Sequence, residues 1–240
     1  MEKELKIRTS DKHIIYGQLA MTTKKSDKLV IFCHGFTGNS NEHIFFNGAR
    51  YFNKAGFDAF RFDFYNDQSG ARHFEDTSLT QHGADITTVI NYFKNKYKKI
   101  YVIGHSFGGT SLLFADTKHA SGLVFWGASF IVPADEKKEF DFKKKYNAYT
   151  YDVGMNVIVG KKFLEELFVV DNCDELIKKI TKPVLFVGAG KDSTSHDKYY
   201  KFANHPKAVV RIKEADHCFN TFASEEKLFA ETLAWVKKVK

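Results

Sequence analysis

Proline and cysteine are scarce in this chain of 240 residues, at three each. With so little proline, and no stretch rich in proline, serine and glycine together, nothing resembles a linker between two cores, and one domain is expected over residues 1–240. The cysteines, Cys33, Cys173 and Cys218, are too few and too widely spaced for a disulfide framework, which makes reduced thiols the expectation. Cys33-His34 and His217-Cys218 also lack the separations that place ligands on one side of an ion, so no metal and no cofactor are expected. No apolar run approaches the length of a membrane span, and the charged start Met1-Glu2-Lys3-Glu4-Leu5-Lys6 carries no secretion-signal core. A cytoplasmic protein is therefore expected. Acidic residues are the minority charge, 29 against 36 basic ones, for a net charge of +7. The lysine clusters at 94–99 and 143–145 are read as solvated helix ends and loops; no nucleic-acid motif accompanies them, and no nucleic-acid partner is expected.

What the chain has in quantity is apolar surface. Hydrophobic residues make up 43% and aromatics 15%, enough to fill a substantial core and line a pocket. Two opening strands, 5–8 and 14–19, flank a turn-prone Thr9-Ser10-Asp11-Lys12 and predict an antiparallel hairpin. A regular alternation follows: strand 29–33, helix 45–54, strand 58–64, helix 80–97, strand 100–103, a helix after Ser106, strand 122–126. Strands alternating with helical periods predict parallel pairing in a sheet covered on both faces. The rhythm breaks at about residue 130 and resumes with strand 184–188, helix 196–203, strand 208–212 and helix 224–237. Residues 130–179, charged and aromatic, are too long for a plain connection and predict an inserted lid.

Gly104-His105-Ser106-Phe107-Gly108 sits where a β-branched strand meets a potential helix, the context that a G-x-S-x-G turn needs to present its serine. Serine needs a base at neutral pH, and imidazole is the side chain whose proton exchange falls nearest that range, so His217 is the candidate. Asp192, in Gly188-Ala189-Gly190-Lys191-Asp192 beyond another strand, is the candidate to orient His217, with Asp135, Asp174 and Asp216 as rivals. Asp216 is the weakest of these, being the immediate neighbour of the histidine. The backbone N–H groups of Phe36, in the His34-Gly35-Phe36-Thr37-Gly38 turn, and of Phe107 are the candidate oxyanion donors. Parallel sheets collect ligands beyond the carboxyl ends of their strands, and all these positions fall there.

Phe32-Cys33-His34-Gly35-Phe36-Thr37-Gly38-Asn39, the Ser106 turn, Lys191-Asp192 and Ala215-Asp216-His217-Cys218-Phe219 resemble the α/β-hydrolase superfamily, over nearly the whole chain. Within it the chain is most similar to bacterial cinnamoyl or feruloyl esterases, with monoacylglycerol lipases and serine aminopeptidase-like hydrolases further off. The resemblance implies a mostly parallel eight-stranded sheet with helices on both faces, a small lid, and hydrolysis of a small-molecule ester through an acyl-enzyme. One departure stands out: such esterases carry Gly-His-Gly-x-Ser after the fourth strand, and here the chain has Tyr65-Asn66-Asp67-Gln68-Ser69-Gly70. Phe130, Tyr146, Tyr149 and Tyr151 are the candidate substrate-binding aromatics. Thioester, monoacylglycerol or aminoacyl hydrolysis, or ligand binding without catalysis, stay open as alternatives, as does a homodimer.

Overall fold

The computed structural model describes residues 1–130, 134–169, 173–190 and 195–239. The chain opens with the expected hairpin: β1 (Glu2–Arg8) pairs antiparallel with β2 (Ile14–Ala20), Glu2 opposite Ala20 and Arg8 opposite Ile14. Next come β3 (Lys28–Cys33), α1 (His43–Lys54), β4 (Asp58–Phe62), α2 (Leu79–Phe93), β5 (Lys99–His105), α3 (Phe107–Leu112) and β6 (Gly122–Trp126). An inserted segment carries β7 (Asp141–Lys143), β8 (Ala148–Asp152), β9 (Asn156–Val159), α4 (Lys161–Val169) and α5 (Cys173–Lys178). The last elements are β10 (Val184–Ala189), α6 (Ser195–Tyr200), β11 (Lys207–Ile212) and α7 (Ser224–Lys238).

The main sheet has eight strands in the order β1-β2-β4-β3-β5-β6-β10-β11. β2 runs antiparallel to both its neighbours, and every pairing from β4 to β11 is parallel. Period-2 alternation divides the inner strands between two cores. Leu29, Ile31, Val102, Leu123, Phe125 and Phe186 face one side, where α2, α5 and α6 pack. Val30, Phe32, Ile103, Val124, Trp126 and Val187 face the other, under α1 and α7. Trp126 Nε1 donates to Thr232 Oγ1 at 2.9 Å, and Tyr101 Oη to the Val236 carbonyl at 3.0 Å, so α7 is tied to the sheet by polar as well as apolar contacts.

Two element ends differ from expectation for identifiable reasons. β4 ends at Phe62: Asp63 N–H still reaches the Tyr16 carbonyl of β2 at 3.0 Å, but Phe64 N–H turns away to His34 Nε2 at 3.1 Å. α2 stops at Phe93, short of Tyr97, and the chain beyond it brings Tyr97 Oη onto Asp58 Oδ2 at 2.8 Å. Its start is capped by Ser78, whose Oγ accepts from Gln81 N–H at 3.2 Å.

The insertion contains a three-stranded antiparallel sheet, β7-β8-β9, which the sequence pattern did not reveal. From α4, Phe163, Leu164 and Leu167 pack with Val159 and Leu79. The Glu166 carboxylate accepts from Thr80 N–H at 2.9 Å and Thr80 Oγ1 at 2.6 Å, which fastens α4 to the start of α2. α5 instead places Cys173 and Ile177 in the main core, so the part lying over the sheet ends with α4. Phe130 corrects the sequence reading. Its ring is 2% exposed and packs on Phe125 at 5.5 Å and Tyr199 at 5.1 Å, because an apolar strand end beside an apolar helix buries it; it offers no surface to a substrate.

Candidate active site

The carboxyl ends of β3, β5 and β6, and the segment after β11, converge on Ser106. The serine has φ 52° and ψ −123°, a left-handed conformation that non-glycine residues adopt only when their surroundings impose it. Glycine neighbours permit it: a Cβ on Gly104 would sit 2.5 Å from the Gly108 carbonyl oxygen, and one on Gly108 would collide with the Cys33 carbonyl oxygen at the end of β3. Held in this turn, Ser106 Oγ lies 3.0 Å from His217 Nε2 and 3.3 Å from Ser129 Oγ. Sequence reasoning paired Ser106 with His217; it missed Ser129, a small polar residue with no motif around it.

His105 was also missed, as the variable position of the turn. Its Nε2–H donates to the main-chain carbonyl of His217 at 2.9 Å, and its ring lies 5.1 Å from the His217 ring. Burial, reinforced by the neighbouring His217, pushes the His105 pKa down to about 4. An uncharged imidazole therefore links the Ser106 turn to the segment carrying His217. The edge of His217 that bears Nδ1 lies against Gly127, just past β6: a Cβ there would be 3.7 Å from Nδ1. Asp192, the expected orienting carboxylate, lies outside the described residues. Of its rivals, Asp216 accepts from Asn220 N–H at 2.7 Å, and Asp174 lies 4.0 Å from Lys178 on α5.

Gly35 brings the turn after β3 against Ser106, since a Cβ there would lie 3.1 Å from Ser106 Cβ. His34 braces that turn from below. Its Nδ1–H donates to the Gly35 carbonyl at 2.9 Å while Nε2 accepts from Phe64 N–H, a pattern that requires the neutral ring, and burial lowers its pKa accordingly. The Phe36 and Phe107 rings stack edge to face at 5.6 Å. Among the described residues neither Phe36 N–H nor Phe107 N–H makes a hydrogen bond. At the departure after β4, Tyr65 stacks on Phe74 at 4.5 Å and meets the His34 ring at 5.2 Å, so an aromatic wedge supports the turn. Burial raises the pKa of its hydroxyl, which has no hydrogen-bond partner among the described residues.

The insertion covers this corner. Phe163 lies 5.5 Å and Tyr151 5.7 Å from the Phe36 ring, so of the candidate aromatics Tyr151 reaches the turn. Tyr149 packs on Phe142 at 5.2 Å, and Tyr146 is 52% exposed beside Lys145; neither lines the pocket at Ser106. That pocket has a volume of about 260 Å³. Phe36 and Ile44 form its apolar part, and Glu42, His43, Cys218 and Asn220 its polar part, around Ser106 and His217. Among the described residues, no group of three or more His, Cys, Asp or Glu side chains could hold a metal ion, and no helix is long and apolar enough to cross a membrane.

A sequence profile of the α/β-hydrolase fold matches residues 28–143. No curated protein matches the chain. Among solved structures, Est1E from Butyrivibrio proteoclasticus bound to ferulic acid superposes with a TM-score of 0.81 at 21% identity, over 98% of each chain. An esterase domain from Rhodothermus marinus gives 0.76 at 20% identity, over 99% of this chain and 98% of that one. An esterase from Pyrococcus furiosus gives 0.75 at 18% identity, over 100% of this chain and 91% of that one. With its strand order, its serine turn and the matched profile, this chain is a protein of the α/β-hydrolase fold.

Proposed function

We propose that this protein is a serine hydrolase that cleaves small or medium carboxylic esters through an acyl-enzyme. The observation that carries the proposal is the 3.0 Å contact between Ser106 Oγ, on a strained turn, and His217 Nε2. In the first half-reaction His217 Nε2 takes the Ser106 proton as Oγ attacks the ester carbonyl carbon. Negative charge moves onto the carbonyl oxygen, where the Phe36 and Phe107 N–H groups are proposed to receive it; one such donor contributes about 10²–10³ in rate. Collapse breaks the bond to the alcohol, whose oxygen leaves with the proton from His217. Water then attacks the acyl-serine by the same route and releases the acid. Asp192 is assigned the role of holding His217 Nδ1–H, since the chain order Ser106, Asp192, His217 is the one this fold uses. Every proton and electron pair is accounted for by these groups, so the proposed reaction calls for no metal and no organic cofactor.

Hydroxycinnamate esters are the proposed substrate class within that reaction. Support comes from the aromatic cluster at this corner, where Phe107 and Tyr151 pack on Phe36 of the pocket wall, and from the similarity to Est1E, whose structure holds ferulic acid. Ser106→Ala is expected to lower kcat on p-nitrophenyl butyrate by at least about 10³-fold, and a fluorophosphonate probe should label wild type at Ser106 only. Full hydrolysis by the alanine variant would sink the proposal. A panel of p-nitrophenyl esters of rising chain length beside methyl ferulate tests the substrate class; cleavage of long chains alone would overturn it.

A further inference from the structure

The polar part of the pocket has a chemistry that the ester-cleaving steps do not use. We propose that Glu42 selects the alcohol part of the ester by accepting a hydrogen bond from it, so that alcohols bearing an ammonium or a hydroxyl donor are preferred over aliphatic ones. This inference rests on the esterase reading and specifies its leaving-group side. The leaving oxygen takes its proton from His217 Nε2, so the alcohol must lie beside His217. Asn220, His43 and Glu42 line the same pocket as His217 and Ser106.

Glu42 is held at that place by its own backbone. It precedes α1, and its carbonyl accepts from Phe46 N–H at 2.9 Å. Its Oε1 accepts from Asn39 N–H at 3.2 Å; Oε2 has no hydrogen-bond partner among the described residues, and no cation pairs with the carboxylate. The adjacent His43 is engaged elsewhere, its Nδ1 lying 2.6 Å from Glu225, to which Asn47 also donates. Burial raises the Glu42 pKa against the opposing pull of the Asn39 N–H bond and of His43, and Asp63, bonded to Ser40 N–H at 2.6 Å, adds a smaller push upward. In a chain of net charge +7 this wall is acidic. Glu42 is only partly buried, so water can reach its free oxygen. An alcohol packed against it displaces that water; a donor-bearing alcohol replaces the hydrogen bond, and an aliphatic one leaves the carboxylate unpaired.

The test compares kcat/KM for butyrate esters of 3-(dimethylamino)propanol, protonated at neutral pH, of glycerol, and of 4-methylpentanol, the neutral isostere of the first. Wild type should prefer each donor-bearing ester over the isostere by about 10-fold. Glu42→Gln, which keeps an oxygen for Asn39 N–H, should reduce the ammonium-to-isostere ratio by about 10-fold and the glycerol ratio less, while Glu42→Lys should invert the ammonium preference. The larger wild-type ratio identifies ammonium or hydroxyl as the natural donor. Ratios that stay equal in wild type and Glu42→Gln, with Ser106 still labelled by the fluorophosphonate, overturn this inference alone. Absence of both labelling and hydrolysis in wild type overturns the esterase reading, and this inference with it.

Discussion

Replacing Ser106 with glycine should give a more stable protein than replacing it with alanine, the reverse of the usual order. Both variants lose the hydroxyl and with it the hydrogen bond to His217, so that loss cancels in the comparison. What differs is the backbone at φ 52° and ψ −123°. Alanine keeps a Cβ in a region where it is strained, at a cost of about 1–3 kcal/mol, and glycine removes that strain. Against this, glycine loses more chain entropy on folding, about 0.5–1 kcal/mol. The balance favours glycine by about 1 kcal/mol, which for a domain of this size raises the melting temperature by roughly 2–4 °C. Urea denaturation of the two inactive variants at equal m-value measures the difference directly. An alanine variant as stable as the glycine variant, or more so, would refute the claim that the fold stores strain at Ser106.

Stability should also fall as pH drops below neutrality. His105 titrates at about 4 in the folded chain against an ordinary 6.5, so the unfolded chain binds a proton that the folded one refuses; its contribution, about 3 kcal/mol, is complete above pH 6.5 and is lost as pH falls towards 4. Buried His34 and His82 act in the same direction, whereas Asp85, raised to about 6 by burial from 3.8, gains stability over pH 6 to 3.8 and offsets one of the three. A urea midpoint unchanged between pH 7 and pH 5 would contradict this balance. Gly35→Ala brings a Cβ within 3.1 Å of Ser106 Cβ and should cut kcat/KM by about 10²-fold with a stability change under about 1 kcal/mol; equal activity would show that the turn yields freely. Phe163→Ala removes a fully buried ring from the contact with Phe36, Phe74 and Phe107 and should destabilise the packing by about 3–5 kcal/mol. Limited proteolysis within residues 134–169 should then accelerate while the main sheet stays protected, and an unchanged cleavage pattern would refute the anchoring role.

The main sheet was legible because its inner strands are buried on both faces, so runs such as Leu29-Val30-Ile31-Phe32-Cys33 are apolar throughout. The meeting of Ser106 and His217 was legible because the turn that presents a serine needs glycines at fixed positions, and both residues follow strands of the parallel sheet. The insertion was not. β7 is exposed along its whole length and β8 is only partly buried, so pairing with each other, and not burial, makes them strands, and pairing leaves little trace in hydrophobic periodicity. Phe130 was misplaced because an aromatic beyond a strand end looks the same in sequence whether it packs inward on Tyr199 or faces a ligand. His105 and Glu42 escaped for another reason: each takes its meaning from a partner or a cavity far away in the chain, His105 from residue 217 and Glu42 from the pocket at Ser106.

The bond from His105 Nε2 reaches the main chain of residue 217 and not its side chain. The loop that carries His217 is therefore bonded to the Ser106 turn independently of the His217 side chain. With the imidazole at 217 truncated to alanine, the carbonyl still has its donor and the loop keeps its place, which leaves a gap of imidazole shape beside Ser106 in an otherwise assembled site. Such a gap invites a diffusible substitute, and free imidazole in the medium should be able to enter it and serve as the missing proton carrier. Under the proposed mechanism the base at 217 would then be a replaceable part, seated in a socket that His105 holds open.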